Sequence, residues 1–432
     1  MSSHSRSAPP VSLAWLIWGI GAALYFVGFY QRVAPAVITA ELSQTFGLTA
    51  AGLGNLSAFY FYSYVAMQIP TGLLADRLGP RVLLTSGAAI AACGTALFAV
   101  APDAYWANAG RLFIGASVGV AFVSMLKLSA HWMPAKQFAL ASAAALAAGV
   151  FGAVTAGAPL RILVDAFGWR GVMWASAAFT LTIAFAAWTI VRDDPAERHY
   201  TSYASTHQGE TKESVWAGLR EVLSYRNTIL IYFLSGSMTG LVLTFAGLWG
   251  VPFLTTHYGL SQTVAAGLCS SMMVAWATGT IVFSTLSNRI GRRKPLYLVG
   301  VAGALALWCV LIFMPLPSTT LLGMLIAAIG FCAGCFILSF AFAKESVPAR
   351  LAGTASGVAN MGVIQGPMLL QPLVGVALDQ SWQGALGTGE FAGKRVFEFS
   401  AYSQAFSMIL IWGAVSVVLL LFTRETYCRQ QA

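Results

Sequence analysis

Apolar runs of about 20 residues recur along the whole chain, the length needed to cross a hydrocarbon layer of about 30 Å at about 1.5 Å per helical residue. Of the 432 residues, 58% are hydrophobic and 9% are charged, more apolar side chain than a soluble chain of this length can bury. Barrel strands would be shorter and would alternate. The pattern therefore predicts an all-α membrane protein with twelve spans, at 13–43, 51–75, 81–101, 105–129, 138–163, 170–191, 227–254, 261–286, 295–315, 318–342, 351–378 and 400–422. The first and eleventh runs are long enough to tilt or to reach beyond the bilayer.

The net charge is +9, and most of the excess falls in alternate loops, so positive-inside topology accounts for it without nucleic acid as a partner. With the N-terminus inside, the cytoplasmic loops carry Arg77, Arg81, Lys136, the basic residues of a polar linker at 192–226, Arg289, Arg292, Arg293, Lys294 and Arg350. The outer loops carry Arg161, Arg170, Lys394 and Arg395. Both termini are then cytoplasmic, and a bacterial inner membrane is the expected location. The polar, Ser- and Pro-rich first dozen residues lead straight into an apolar helix, so a secretory signal is not expected. In the linker, Val215, Leu219, Val222 and Leu223 share one face of a short helix suited to a membrane surface. Cys332 and Cys335 form a CxxC, but their flanks are those of a spanning helix with no further ligand types nearby. Small packing residues are the expectation, with no metal and no cofactor.

The chain repeats itself. "LADRLGPR" at 74–81 echoes "LSNRIGRR" at 286–293, and "FGLT" at 46–49 echoes "YGLS" at 258–261, both at an offset of 212. "MPAKQFALAS" at 133–142 echoes "VPARLAGTAS" at 347–356 at an offset of 214, which pairs Asp165 with Asp379. Two parallel six-helix halves, 1–191 and 227–432 joined by the linker, point to a duplicated transporter with its solute site near the midplane.

At "GLLADRLGPRVLL", 72–84, the chain resembles the major facilitator superfamily, whose loop signature is G-x-L-A-D-R-x-G-R-[RK]. Gly72, Asp76, Arg77, Gly79 and Arg81 match it, and Asn288, Arg289, Gly291 and Arg292 stand in the degenerate second copy. The resemblance covers nearly the whole chain. It implies the major facilitator fold, a monomer, and loops that help hold one conformer. A carboxylate at a neighbouring helix N-terminus contributes about 0.3–1 kcal/mol, and Asn288 weakens that contact in the second copy. Topology alone is the other reading of these basic turns.

One charge lies deep in a span. Arg32 interrupts the run "YFVGFYQRVAPAV", and an arginine at a helix centre costs roughly 2.5–3.5 kcal/mol on insertion scales. The middle thirds of the expected spans hold no Asp or Glu. Arg32 is joined, nearer helix ends, by Arg111 and Lys127. A cavity with an unbalanced positive field suits an anion, and a guanidinium fork suits carboxylate or phosphate. Tyr60, Tyr64 and Gln68 follow one another at helical spacing, a polar face that needs partners. Thr244, Trp249, Asn360 and Gln365, together with Gln371, offer polar groups in the second half. Each position also has a structural reading. Arg32 can serve carbonyls around the kink at Pro35, Arg111 and Lys127 can snorkel, and the second-half residues can bind helices together. Gly366-Pro367 marks either a hinge or a static kink in the eleventh span.

The cationic pattern resembles the organic-anion branch of the superfamily, the anion:cation symporters and the organophosphate antiporters. That resemblance implies that Arg32 and Arg111 clamp the anionic group and that Tyr64 donates to it. Gln68 stands where the antiporters have lysine, and Thr244 repeats Arg32 without its charge, which favours a carboxylate over a phosphate ester. The symporters' proton-binding acids are replaced by Gln31 and Val118, so proton or sodium co-transport, exchange and facilitated diffusion all stay open. Uptake of amino acids, peptides or metal chelates and export of drugs or metabolites are the alternatives. A scaffold would need a longer soluble extension. No nucleophile–base pair or phosphate loop suggests an enzyme.

Overall fold

The computed structural model describes residues 7–203, 215–314, 318–386 and 395–430. The first half forms α1 (Val11–Val33), α2 (Thr39–Phe46), α3 (Ala50–Val100), α4 (Ala104–Val118), α5 (Val120–Trp132), α6 (Ala135–Thr155) and α7 (Ala158–Ile190). After α8 (Val215–Val222), the second half forms α9 (Arg226–Thr244), α10 (Gly250–Tyr258), α11 (Gln262–Ile290), α12 (Lys294–Phe313), α13 (Thr319–Ala333), α14 (Leu338–Glu345), α15 (Ala352–Gln380) and α16 (Phe399–Phe422).

Among the described residues, 11 helical stretches are long and apolar enough to cross a membrane. The remaining expected span, 51–75, is the first arm of α3, where several side chains lie outside the described set. At 51 residues, α3 is about 76 Å long, enough for two crossings. Gly79 divides it, with φ +77°. An L side chain is strained there, and Pro80 restarts the helix where its missing N–H costs nothing. The spans are less regular than apolar periodicity suggests. α1 gives way at Pro35 to a tight turn over Ala34–Val37, α4 meets α5 at Gly119, and a π-type turn at Phe245–Trp249 separates α9 from α10. α15, by contrast, runs unbroken through Gly366-Pro367.

Contacts divide the chain into two compact units that cut across the sequence repeat. One contains Met1–Arg32, Tyr62–Thr155 and Leu163–Thr211. The other contains Val33–Phe61, Ala156–Ile162 and Lys212–Ala432. Small residues let the helices approach, because apolar contact alone drives little helix association in lipid. In the first unit, Gly28 of α1 lies on Val118, and Gly152 of α6 lies on the Phe26 backbone. In the second, α9 and α15 face each other through two G-x-x-x-G stretches, Gly236/Gly240 and Gly362/Gly366, with backbone against backbone. Gly366 thus serves close approach. Cys335 packs on Gly300, and Cys332 packs on Gly303, which accounts for two small side chains.

The linker forms the short helix α8. Val222 is buried, but Leu223 is exposed, as is Trp216, and the Val215 side chain lies outside the described residues. The helix α8 packs on the start of α15, and Arg350 pairs with Glu221.

Candidate functional site

Arg32 occupies the last turn of α1, 5% exposed. Its guanidinium carbon lies 4.4 Å from the centre of the Phe29 ring and 5.2 Å from that of Tyr64, so two aromatic faces hold the charge. Such contacts contribute about 0.5–2 kcal/mol each, more where water is excluded. Tyr64 and Gln68 are half-buried on α3, and the Gln68 amide donates back to the Tyr64 carbonyl at 3.4 Å. Gly119 completes the group. A Cβ built there would lie 3.6 Å from the Tyr64 ring and 3.7 Å from Gln68 Nε2. Gly119 packs beside this candidate group and is passed over by span counting; the glycine inside "GASVGVAFV" is its only sequence signal.

Arg111 is buried, and its Nη1 donates to the backbone carbonyl of Gln31 at 2.6 Å. It braces the residue next to Arg32 rather than presenting that nitrogen to a solute. Gln31 in turn donates through Nε2 to Thr95 Oγ1 at 3.3 Å and to Ser176 Oγ at 3.1 Å, joining α1 to α3 and α7. Gln31, Thr95 and Ser176 thus form a neutral three-residue network. Lys127 is half-buried on α5, two turns beyond Gly119.

Tyr60 belongs to the other unit, fully buried, with its ring edge-on to Phe61. In the second half, Trp249, Gln365 and Gln371 donate to backbone carbonyls. Thr244 is fully buried. The Trp249 indole N–H donates to the Gln371 carbonyl at 3.0 Å, and Gln371 Nε2 donates to the Leu243 carbonyl at 2.9 Å beside the π-type turn. Gln365 donates to the Tyr232 carbonyl, and Asn360 is half-buried on α15.

At the loop motif, Gly72 and Asp76 lie outside the residues whose burial and contacts are described. Arg77 is exposed. Gly79 faces the Asp193 carboxylate, which accepts the Arg81 backbone N–H at 2.6 Å. The Arg81 side chain donates to the Trp188 carbonyl and stacks on the Trp188 ring at 4.4 Å. The second copy repeats this scheme. Gly291 has φ +72°, and Glu425 accepts the backbone N–H groups of Arg293 and Lys294, both at 2.9 Å. In each half, an acid just past the last span caps the helix that follows the loop motif. Asn288 accepts from Arg293 Nη1 at 2.7 Å, while Arg293 also grips Glu345 at 2.6 Å. Arg289 and Arg292 are exposed.

A second acidic pair closes the first-half loop. Asp194 accepts from the Ala196 N–H, His131 and Ser202. Burial works to raise its pKa, but these hydrogen bonds outweigh burial and hold it below the usual carboxylate value. Its neighbour Asp193 goes the other way, raised mainly by burial despite the Arg81 N–H.

Paired loop motifs, a helical repeat and a buried arginine in a spanning helix define a membrane transporter. Residues 10–372 match the family model of the Major Facilitator Superfamily, and the chain belongs to that family. Over 80% of its length it is 24% identical to the probable sulfoacetate transporter SauU of Cupriavidus necator, covering 83% of that protein. It is 23% identical to a putative tartrate transporter of Agrobacterium vitis over 80% of this chain and 81% of that one. A match to the uncharacterized transporter YybO of Bacillus subtilis, 27% identical, spans 65% of each chain. Among solved structures, a bacterial homologue of the human lysosomal transporter Spinster, in an inward-facing and occupied conformation, superposes with a TM-score of 0.74 at 17% identity over 96% of this chain and 97% of that one. These likenesses make the chain an integral membrane protein and a transporter, not an enzyme.

Proposed function

We propose that the chain moves a small organic anion, a carboxylate by preference, across a bacterial inner membrane by alternating access, with Arg32 as the counter-charge. The observation that carries this reading is the buried guanidinium of Arg32 held between Phe29 and Tyr64 in a spanning helix. The relatives named for sulfoacetate and tartrate support it. Tyr64 and Gln68 are the polar groups nearest the charge, Gly119 leaves room beside them, and Arg111 positions the Gln31 carbonyl from behind. Lys127 is the further proposed solute contact in this unit, and Tyr60, Thr244, Trp249, Asn360 and Gln365 are those proposed in the other.

Both termini are cytoplasmic, the halves 1–191 and 227–432 rock as a monomer, and the two loop motifs with their Asp193 and Glu425 caps steady one conformer. The Gln31–Thr95–Ser176 network is neutral, which favours exchange or facilitated movement over a dedicated proton site in α1.

A thermal-shift titration of the purified protein with sulfoacetate, tartrate, glucarate, phosphate esters and amino acids tests the reading, because stabilisation follows ligand concentration over affinity. One carboxylate class is expected to stabilise the wild type. Arg32→Gln is expected to raise its half-saturating concentration by about tenfold or more, the loss of a charge-assisted hydrogen bond. An unchanged titration in Arg32→Gln contradicts the assignment.

A further inference from the structure

The second unit contains a recess of about 310 Å³ whose lining does not include Arg32. Helices α2, α3, α10 and α11 enclose it together with 395–402. Gln262 opens α11 and the second loop motif closes that helix, so the recess lies about 42 Å along α11 from the motif, at the opposite end. Its volume is at the lower limit of small-molecule sites and equals about ten waters at ~30 Å³ each.

The lining has a definite chemistry. Ser43, Gln44, Thr256 and Gln262 supply hydroxyls and amides that both donate and accept, while Trp249 and Phe397 supply apolar walls. Among the described lining residues one is a cation, Arg395. Its Nη1 donates to Asp379 Oδ1 at 2.9 Å, and its guanidinium stacks on Trp382 at 4.3 Å. A guanidinium carries five N–H donors, so this pairing uses a small part of its capacity. The Asp379 charge is shared as well: its carboxylate also accepts the Ala50 and Ala51 N–H groups at the start of α3. Among the described lining residues Arg395 is the one charged side chain, Asp379 touches the recess only through it, and the start of α3 adds a partial positive charge. Apolar walls, neutral hydrogen-bonding groups and that positive charge match a small carboxylate bearing hydroxyls.

We propose that this recess is a vestibular binding site for a small hydroxylated carboxylate, which takes up Arg395 in competition with Asp379. The proposal rests on the organic-anion reading and adds a second recognition point to it. In the proposed topology the recess opens to the outer side, where such an anion first meets the protein.

The sign of one substitution separates binding from fold damage. Asp379→Asn removes the competing charge and is expected to tighten the recess for anions, whereas Arg395→Gln loosens it. Gln262→Ala weakens it while leaving the Asp379–Arg395 pair in place.

The experiment is a thermal-shift titration of full-length protein with tartrate, glucarate, sulfoacetate and acetate, in wild type and in an Arg32→Gln background. Arg32→Gln is expected to keep a weaker saturable response that is tighter for tartrate than for acetate. Adding Arg395→Gln is expected to raise the half-saturating tartrate concentration by about tenfold, Gln262→Ala to raise it severalfold, and Asp379→Asn to lower it. A wild-type response that vanishes entirely in Arg32→Gln, or that persists unchanged through Arg395→Gln and Gln262→Ala, overturns the recess while the assignment of Arg32 stands. No response to any of the four anions in the wild type overturns both.

Discussion

The Asp379 carboxylate accepts the backbone N–H groups of Ala50 at 3.0 Å and Ala51 at 2.8 Å. Thr49 Oγ1 takes the next N–H, from Gly52, at 3.1 Å, so the first turn of α3 has its unpaired donors answered by one residue of α15 and one threonine. A carboxylate from the eleventh span therefore serves as the cap of the second. Asp379→Ala removes both hydrogen bonds and the charge–dipole term together. It is expected to cost about 1–2 kcal/mol, read as a lowered unfolding midpoint in detergent, with Asp379→Asn in between. Equal midpoints for all three proteins would remove this cap from the account.

Helices α3 and α15 meet close by through Gly54, which faces the Gln371 carbonyl, and Gly375, which faces the Ala50 carbonyl. Both neighbours are backbone and cannot turn aside. Gly54→Val or Gly375→Val is expected to cost about 1–3 kcal/mol or to abolish this crossing. Cysteine pairs placed along α3 and α15 would read it out, cross-linking in the wild-type background and less in either valine variant.

Arg32 on α1 and Arg111 on α4 are both buried arginines, but their proposed roles differ. Arg111 holds a backbone carbonyl, so Arg111→Gln is expected to lower stability by about 1–3 kcal/mol, the cost of a charged hydrogen bond broken in the interior. Arg32→Gln is expected to shift anion affinity far more than the unfolding midpoint. Parallel midpoints and anion titrations of the two variants check the split, and the reverse pattern would exchange their roles.

Much of this was legible in sequence. Run length and the repeat at offset 212 give the fold class and the two loop motifs, and Arg32 stands out because no other charge lies at its depth. What sequence leaves hidden is which partner each polar group finds. The resemblance implies Arg111 as a second anion clamp; the geometry adds the Gln31 carbonyl as the partner of its Nη1, which sequence does not show. Trp249 and Gln365 also read as cavity residues; their donors meet backbone carbonyls, and Trp249 in addition lines the recess beside α10. The Asp193 and Glu425 caps did leave a trace, since Arg192-Asp193 and Arg424-Glu425 end the two halves alike. That trace is two residues long, too short to notice without the contacts.

The loop cluster carries a pH dependence of known sign. Asp194 has a depressed pKa in the folded protein, so its contribution to stability is full above the ordinary carboxylate pKa and is lost as pH falls through the lower folded value. Asp193 has a raised pKa, so its ionisation disfavours the fold as pH climbs from the ordinary value through the raised one. Asp194→Asn is therefore expected to flatten the loss of stability in strong acid, and Asp193→Asn to stabilise the protein above that window. Unfolding midpoints between pH 3 and 7 provide the check; identical profiles for the two variants would contradict the opposite signs.

The most direct measurement is counterflow in proteoliposomes loaded with an unlabelled carboxylate identified by the titrations, following entry of its labelled form. Wild type is expected to accumulate label. Arg32→Lys keeps the charge without the fork and is expected to retain reduced counterflow. Arg32→Gln is expected to fall to the level of empty liposomes while remaining folded. Counterflow of the same anion at wild-type rates in Arg32→Gln would contradict the claim that this buried arginine is the counter-charge of the transported solute.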